Sequence, residues 1–193
     1  MNYFDMIKSA MNTVNMNKIN LANSIINEIT TEYKPLIVFG NGGSAAIANH
    51  AVADFTKGVY EDSEHEFAFP AISLCSNVPL ITAISNDIGN RFIFSRQLNY
   101  LKLRSAVVLA ISSSGNSTNT IDGIHEANER GYSTVALVGF DGGYIKRNNI
   151  ADVCIHVDAN NYGVVEDVHM MIVHMLAQEA RKIVVKNPFT QKL

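Results

Sequence analysis

The sequence predicts an α/β fold, a three-layer sandwich built around a doubly wound parallel sheet of five strands. Five short apolar runs are rich in Val, Ile, Leu and Ala and lack the polar alternation of a half-exposed strand. Helical segments alternate with these runs, as the crossovers of a parallel sheet require. Glycine-rich and serine-rich turns follow the first and third runs. We therefore expect helices on both faces of the sheet and polar turns at the carboxyl edge of the strands.

The predicted elements follow one another in regular order. An extra N-terminal helical region at 3–31 precedes the first strand, and strands are expected at 36–40, 70–75, 106–112, 134–139 and 153–157. Helices are expected between the strands at 43–57, 79–87, 91–101 and 117–130. A long C-terminal helix is expected at 164–184, where apolar residues recur at helical spacing. The apolar stripes of the first and last helices are generous, which favours packing against other subunits; the alternative is that they only cover the sheet.

Composition predicts one globular domain and excludes several classes of partner. The chain has 193 residues, of which 47% are hydrophobic and 17% charged, without low-complexity segments. A net charge of −3 with scattered basic residues favours neither a nucleic-acid nor a membrane partner. No apolar run approaches the roughly 20 residues of a membrane span, and the N-terminus lacks the pattern of a signal peptide. Cys75 and Cys154 lie in apolar runs, which is typical of small core residues in a reducing compartment, so we expect a cytoplasmic protein.

A hydroxyl-rich turn at 112–118 follows the third apolar run directly. It supplies three consecutive serines, a glycine for close backbone approach and the amides that open the next helix, all of which suit a phosphate monoester. No lysine stands where a nucleoside triphosphate loop would carry one, so a sugar phosphate is the better fit. The alternative is an ordinary serine-rich turn with Ser117 as a helix cap.

The turn after the first strand is rich in glycine. Gly40, Gly42 and Ala45 fit a relaxed dinucleotide-binding fingerprint. However, the second strand ends at 74–77 without the acid that would hold a ribose, so we expect no nucleotide cofactor. The glycines still allow backbone amides to approach a ligand, and Ser44 can cap the helix or bind an anion.

Two predicted helices carry polar side chains that could belong to a site. His50 and Asp54 are four residues apart and share one face of an otherwise apolar helix, so they are paired, metal-bound or catalytic, or form an ordinary surface pair. The last helix carries Glu166, Asp167, His169 and His174. Glu166 and His174 lie two turns, or roughly 12 Å, apart and could reach one small ligand from either end. Each of these groups taken alone is more typical of a solvated face.

Six stretches of the chain together resemble the sugar isomerase (SIS) domain family, and within it the phosphoheptose isomerases. The matching stretches are 40–46, 82–89, 94–97, 111–117, 141–143 and 166–169, with His174. The similarity extends over about 35–180. It implies a flavodoxin-like fold and a single SIS domain over 1–193, with an N-terminal helical region at 1–33 and an α/β core at 34–186.

The resemblance also implies an activity and an assembly. Family members interconvert sedoheptulose 7-phosphate and D-glycero-D-manno-heptose 7-phosphate through a cis-enediol, which feeds nucleotide-activated heptose to surface polysaccharide. They are homotetramers with active sites between subunits. The family's sugar-phosphate contacts fall on Asn41, Gly42, Gly43, Asn86, Asp87, Ser112, Ser113, Ser114 and Ser117. Ser44 and Glu166 join this set as candidates because of the positions described above.

The family's catalytic and metal-binding residues also have counterparts. The acid/base pair falls on Asp54 and His174, and the zinc ligands fall on His50, Asp54, Glu166 and His174. Asp54 stands where the family usually has Glu, and Glu166 stands where it usually has Gln. The stretch 162–164 lacks an arginine that relatives carry. Two alternatives follow: a non-catalytic SIS-domain regulator that binds a protein partner, or an isomerase of another phosphosugar.

Overall fold

A computed structural model describes residues 1–32, 34–62 and 69–184, and within them a parallel β-sheet carries helices on both faces. The strands of the sheet are β1 (Leu36–Gly40), β2 (Ala71–Ser73), β3 (Val107–Ser112), β4 (Ser133–Val138) and β5 (Val153–His156). They lie in the order β2-β1-β3-β4-β5, and every neighbouring pair is parallel. The predicted fold class is confirmed, and each strand lies within two residues of its predicted bounds.

The α-helices of the described residues cover the sheet from both sides. In chain order they are α1 (Tyr3–Met11), α2 (Met16–Glu32), α3 (Gly43–Ala53), α4 (Val59–Asp62), α5 (Val78–Asp87), α6 (Ile93–Leu101), α7 (Thr118–Glu129), α8 (Gly143–Arg147) and α9 (Tyr162–Val184). Helices α1 to α4 and α9 pack on one face, and α5 to α8 pack on the other. None of the described helices combines the length and apolar character that crossing a bilayer would demand.

Alternation along β1 explains why the protein has two apolar cores. Leu36 and Val38 are buried in the core beneath α3 and α9, whereas Ile37 and Phe39 are buried in the core beneath α6 and α7. Successive side chains of a strand point to opposite faces, so a strand covered on both sides must be apolar throughout. This arrangement accounts for the apolar runs in the sequence.

The N-terminal helical region is broken where the sequence predicts continuity. Helix α1 begins with a capping box, in which the Asn2 side chain accepts from the amide of Asp5, and it ends at Met11. Helix α2 begins only at Met16. The Thr13 hydroxyl in the intervening turn accepts a hydrogen bond of 2.9 Å from the amide of Asp158. A contact with a distant loop therefore accompanies the break, although the apolar spacing continues through it.

The helix predicted at 43–57 also departs from regular geometry. It is α-helical to Ala53 and continues as a π-helical turn, Asp54–Gly58, before α4. A Cβ at Gly58 would overlap the guanidinium of Arg181 on α9, so glycine permits the close approach of α9 at this turn. The π-helical turn begins at Asp54, one of the predicted site residues, and such turns are frequent at functional sites.

The remaining helices match their predictions closely. Helix α5 begins one residue early because the Asn77 side chain accepts from the amide of Leu80 and caps it. A 3₁₀ turn, Asn90–Phe92, precedes α6. Helix α8 is not predicted, because five residues are too few for apolar periodicity to be read.

Candidate active site

A small cavity of about 120 Å³ opens at the carboxyl edge of the sheet, between the turns after β1 and β3 and the start of α9. We call the residues that line it the cradle. They are Asn41, Ser44, Ser112, Ser113, Ser114, Ser117, Tyr162 and Glu166. The sequence predicts all of them as substrate-binding residues except Tyr162. The turns after two neighbouring strands therefore meet in one cavity, as expected for a doubly wound sheet.

The serine turn offers several hydroxyl groups to a ligand, and only some of them are hydrogen-bonded within the protein. Ser113 is buried, and its Oγ has no hydrogen-bond partner in the part of the chain that the structure describes. Ser117 precedes α7, but its side chain caps none of the helix amides and lies 3.4 Å from the Oγ of Ser112. A buried hydroxyl without a partner costs free energy, and the first amides of a helix attract anions. The turn therefore has the chemistry of an anion site.

The first turn is shaped by its glycines and tied to the start of α7. Gly42 has a φ of +55°, a conformation that favours glycine. Asn41 and Asn119 exchange two amide hydrogen bonds, of 2.8 and 3.0 Å, which join the two turns. Asn119 is buried, and sequence reasoning missed it because the position acquires its role only when the turns meet.

The turn after β4 packs against the backbone of the serine turn. Gly139 donates a backbone hydrogen bond of 2.8 Å to the carbonyl of Ser113. Gly115 has a φ of +63°, and a Cβ there would overlap the carbonyl of Gly142. The backbones of the two turns are therefore in direct contact, which fixes the position of the serine hydroxyls.

Glu166 on α9 forms the acidic wall of the cradle. Its carboxylate lies against Gly43, where any Cβ would overlap it. Burial raises the pKa of the Glu166 carboxyl above its usual value, and the neighbouring Asp167 carboxylate raises it further. Asp167 itself accepts a hydrogen bond of 2.7 Å from the Tyr3 hydroxyl, which ties α1 to the start of α9.

A second group of polar side chains, formed by His50, Asp54 and His174, lies where α3 and α9 pack together. We call it the histidine cluster. The Nε2 atoms of His50 and His174 are 3.0 Å apart. The Asp54 Oδ2 lies 3.3 Å from the first of these nitrogens and 3.6 Å from the second. The His50 and His174 side chains remain 44% and 43% exposed, so the cluster is open to solvent in the single chain.

The cradle and the histidine cluster lie at the two ends of the contact between α3 and α9, which we call the seam. Gly43 of α3 contacts Glu166 of α9, and His50 further along α3 contacts His174 further along α9. The two helices therefore run in the same direction side by side. Seven or eight residues separate the two contacts on either helix, which corresponds to about 10–12 Å at 1.5 Å per residue.

The histidine cluster has the donor set of a metal centre. Its two imidazole nitrogens and one carboxylate oxygen lie within 4.8 Å of one another, and one ligand atom comes from each residue. Catalytic zinc sites typically have three such protein ligands and an open position. The residues present therefore fit a divalent metal. The carboxylate of the predicted fourth ligand, Glu166, lies against Gly43 at the cradle end of the seam, so its contact with the metal stays a prediction.

Three other residues singled out in the sequence lie elsewhere. Asn86 and Asp87 are exposed at the end of α5, where their side chains form a hydrogen bond of 2.7 Å, and neither lines the cradle. Their contact with substrate stays a prediction. His169 does not lie on a solvated face: it is completely buried, and within the described residues neither ring nitrogen has a partner at normal hydrogen-bond geometry. Burial lowers its pKa to about 4.

Comparisons with known proteins agree with this architecture. A family model described as the SIS domain matches residues 2–139. A probable phosphoheptose isomerase from Thermoplasma acidophilum is 40% identical over 158 residues, covering 82% of this chain and 84% of the relative. The phosphoheptose isomerase from Cytophaga hutchinsonii is 40% identical over 161 residues, covering 83% and 81%. A solved phosphoheptose isomerase structure from Francisella tularensis superposes with a TM-score of 0.84 at 27% identity, covering 93% and 95%.

Proposed function

Because the chain belongs to the phosphoheptose isomerase family of SIS-domain proteins, we propose that it converts D-sedoheptulose 7-phosphate into D-glycero-D-manno-heptose 7-phosphate. Such an aldose–ketose isomerisation is an intramolecular oxidoreduction, since C1 is oxidised while C2 is reduced. It requires a phosphate anchor, a base at carbon and a group that moves protons between two oxygens.

The observation that carries the proposal is the length of the seam. An extended chain advances about 1.2 Å per bond, so the eight bonds from C1 to phosphorus of an open-chain heptose 7-phosphate span about 10 Å. This is the separation between the cradle and the histidine cluster along α3 and α9. A phosphate in the cradle would therefore leave C1 and C2 near Asp54 and His174. Pentose and hexose phosphates are shorter by two bonds and one bond.

Asp54 and His174 then have distinct roles. The Asp54 carboxylate removes a proton from C1 of the ketose, and the electron pair of that C–H bond becomes the C1–C2 double bond of a cis-enediol. His174 gives a proton to the carbonyl oxygen at C2 and takes one from the hydroxyl at C1. Asp54 finally returns its proton to C2. Holding both groups against a positioned substrate supplies much of the rate enhancement.

His50 orients these groups. With the two Nε2 atoms 3.0 Å apart, one nitrogen donates and the other accepts when no metal is bound, and this hydrogen bond holds the two rings together. We propose that His50, Asp54 and His174 also hold a zinc ion, with Glu166 as the fourth ligand that the family resemblance implies. When bound, zinc polarises the carbonyl and stabilises negative charge on the enediolate oxygens.

Four further assignments belong to the same proposal. The serine hydroxyls and the open end of α7 take the phosphate, and the whole chain acts as one SIS domain. The protein assembles as a homotetramer with active sites between subunits, and Asn86 and Asp87 contact the substrate. It works in the cytoplasm, which is supported by Cys75 and Cys154 being free thiols.

The test is incubation with sedoheptulose 7-phosphate, with and without zinc, followed by NMR of the anomeric protons. We expect the signals of the aldose product. Asp54→Asn should abolish turnover, and Asp54→Glu should lower it about 100-fold, because a misplacement of about 1 Å can cost that much. Glu129→Gln, on the exposed end of α7, is the charge control and should keep wild-type turnover.

The outcomes separate the alternatives. If a pentose or hexose phosphate is turned over faster than sedoheptulose 7-phosphate, the protein is an isomerase of that other phosphosugar. No turnover of any ketose phosphate, combined with binding to a partner protein, would favour a non-catalytic regulator. Wild-type turnover by the Asp54→Asn variant would remove Asp54 from the mechanism.

A further inference from the structure

Two helices from opposite faces of the sheet begin at the cradle. Helix α3 starts directly after the turn that follows β1, which we call the glycine turn, and α7 starts directly after the serine turn. Ser44 and Ser117, at these two helix starts, both line the cavity. A helix N-terminus carries a partial positive charge of about half an elementary charge, so two N-termini at one cavity repel each other and together attract an anion.

Asn41 and Asn119 connect the two helix starts, and we call them the amide pair. Asn41 lies two residues before α3, and Asn119 is the second residue of α7. Asn41 Nδ2 donates to Asn119 Oδ1 over 2.8 Å, and Asn119 Nδ2 donates to Asn41 Oδ1 over 3.0 Å. Each side chain is therefore both donor and acceptor for the other. The pair holds two turns together that belong to different strands.

The two members of the amide pair differ in their access to a ligand. Asn41 is exposed and lines the cradle. Asn119 is only 4% exposed and is not among the lining residues, so it reaches a ligand only through Asn41. Burial of one partner shields the hydrogen bonds from competing water and strengthens them. The geometry therefore separates a residue at the ligand from a residue that holds it.

We propose that Asn119 is a positioning residue of the cradle, which fixes Asn41 and the glycine turn against the start of α7 before the ligand arrives. Both turns then contact the phosphate group of the substrate at the same time. This inference rests on the proposed function, which places that phosphate in the cradle. Without the Asn119 amide, the glycine turn keeps only the longer contact of Asn41 with Thr120 Oγ1, at 3.4 Å, as a hydrogen bond to α7 in the described part of the chain. The phosphate would then have to order the turns as it binds, which lowers its affinity.

The experiment compares the wild-type protein with Asn119→Leu, because leucine has a similar volume and no hydrogen-bonding group. We expect the Michaelis constant for sedoheptulose 7-phosphate to rise about tenfold, since the turns are no longer ordered in advance. The kcat should stay within about twofold, because the histidine cluster lies about 10–12 Å away along the seam. Calorimetry in the Asp54→Asn background, where we expect no turnover, should show the same rise in the dissociation constant. Asn119→Ala, which removes the amide without requiring a leucine to fit, should behave in the same way.

Asn128→Leu is the matched control on the same helix. The Asn128 side chain donates to the Ile150 carbonyl over 2.7 Å and accepts from the Thr134 hydroxyl over 3.2 Å, so the variant also loses two hydrogen bonds, away from the cradle. It should keep the Michaelis constant within about twofold of wild type, since distant sites act independently. All variants are first checked for an unchanged circular dichroism spectrum. An equal rise of the Michaelis constant in Asn128→Leu would show a general loss of structure and overturn the inference.

A double-mutant cycle tests whether Asn119 acts through Asn41. Asn41→Ala alone should raise the Michaelis constant at least about tenfold, because it removes both the lining side chain and the amide pair. Adding Asn119→Leu to this variant should change the constant less than about twofold, because Asn119 then has no partner to position. A further tenfold rise in the double variant would show that Asn119 acts independently of Asn41, and the inference would be wrong.

The remaining results also decide the question. Wild-type affinity in both Asn119→Leu and Asn119→Ala overturns the inference, and so does a fall in kcat at an unchanged Michaelis constant. In these cases the proposed function stands as long as the wild-type protein converts sedoheptulose 7-phosphate. If the wild-type protein neither binds nor converts this substrate, the proposed function fails and the inference fails with it.

Discussion

At the scale of single residues, Ser113 shows how a buried hydroxyl of the cradle can favour ligand binding at the expense of protein stability. Its hydroxyl is buried and has no partner among the described residues, so the folded protein bears the cost of desolvating it. A phosphate oxygen would supply the missing partner, and hydrogen bonds to charged groups are worth about 1.5–3 kcal/mol. Affinity for the ligand and stability of the protein are therefore in conflict at this atom.

Replacing Ser113 with alanine should separate these two effects. We expect the Michaelis constant for the sugar phosphate to rise about 10- to 100-fold, because the variant loses a hydrogen bond to a charged group. The free energy of unfolding should stay the same or increase, since an unpartnered polar atom is removed. Steady-state kinetics and urea denaturation provide the two measurements.

The control is Ser95→Ala, which changes a buried serine outside the cradle that donates to the Phe92 carbonyl, and it should leave the Michaelis constant unchanged. A large loss of stability in Ser113→Ala with unchanged kinetics would contradict the assignment.

The residues that could be predicted from the sequence are those whose chemistry is local. Ser112, Ser113 and Ser114 follow a buried strand and precede a helix, and that order alone places them at the carboxyl edge of the sheet. Tyr162 and Asn119 acquire their places only when distant segments pack together, so no local pattern marks them. The family resemblance located Asp54 and His174, whereas their spacing alone left several interpretations open.

At the scale of elements, α9 presents polar side chains in three environments. Glu166 lines the cradle, His174 belongs to the histidine cluster, and His169 is completely buried between them. Burial lowers the pKa of His169 to about 4; the Val138 backbone acts in the opposite direction, and the nearby His156 lowers the pKa further. The folded protein therefore keeps this imidazole neutral at pH values where the unfolded chain protonates it.

This difference predicts a specific loss of stability in acid. Between pH 6.5 and about 4 the unfolded state binds a proton at His169 that the folded state does not, so the free energy of unfolding falls as the pH falls through that range. The full change in the free energy of unfolding is about 3 kcal/mol at 1.36 kcal/mol per pKa unit.

His169→Leu should remove this contribution, so the free energy of unfolding of the variant should depend less steeply on pH. Urea denaturation at pH 7 and pH 4.5 measures this dependence. His125→Gln, which changes an exposed histidine on α7, should keep the wild-type dependence. Parallel stability curves for wild type and His169→Leu would refute the prediction.

The bounds of helices were predictable where periodicity or a cap determines them, and not where tertiary contacts do. Helix α7 begins and ends within a residue of the prediction, because its glycine-serine start and apolar face are both local. The break between α1 and α2 accompanies a hydrogen bond from Asp158 to Thr13, 145 positions apart in the chain. The π-helical turn accompanies the close packing of α9 on Gly58. Neither contact leaves a signal in nearby residues.

At the scale of the whole molecule, the face formed by α1, α2 and α9 is incompletely covered. Phe4 is 82% exposed, and Leu21, Met171 and Met175 are also exposed on these helices. Apolar side chains grouped on the same layer usually mark an interaction surface. The histidine cluster lies beside this layer and is open to solvent, although proton transfer at carbon benefits from exclusion of water. A second copy of the chain packed here would cover both features at once.

We therefore expect the protein to be a tetramer whose assembly depends on this face, and its activity to depend on assembly. Light scattering at micromolar concentration should give four times the mass of the chain. The double variant Phe4→Ser, Met171→Ser should lower that mass and reduce turnover in parallel, because a subunit that dissociates uncovers the histidine cluster. Val78→Ser changes an exposed apolar residue on α5, on the opposite face, and should keep both mass and turnover. Full turnover by a monomeric form would show that one chain holds a complete site, and the role of the α1–α2–α9 face in catalysis would then have to be abandoned.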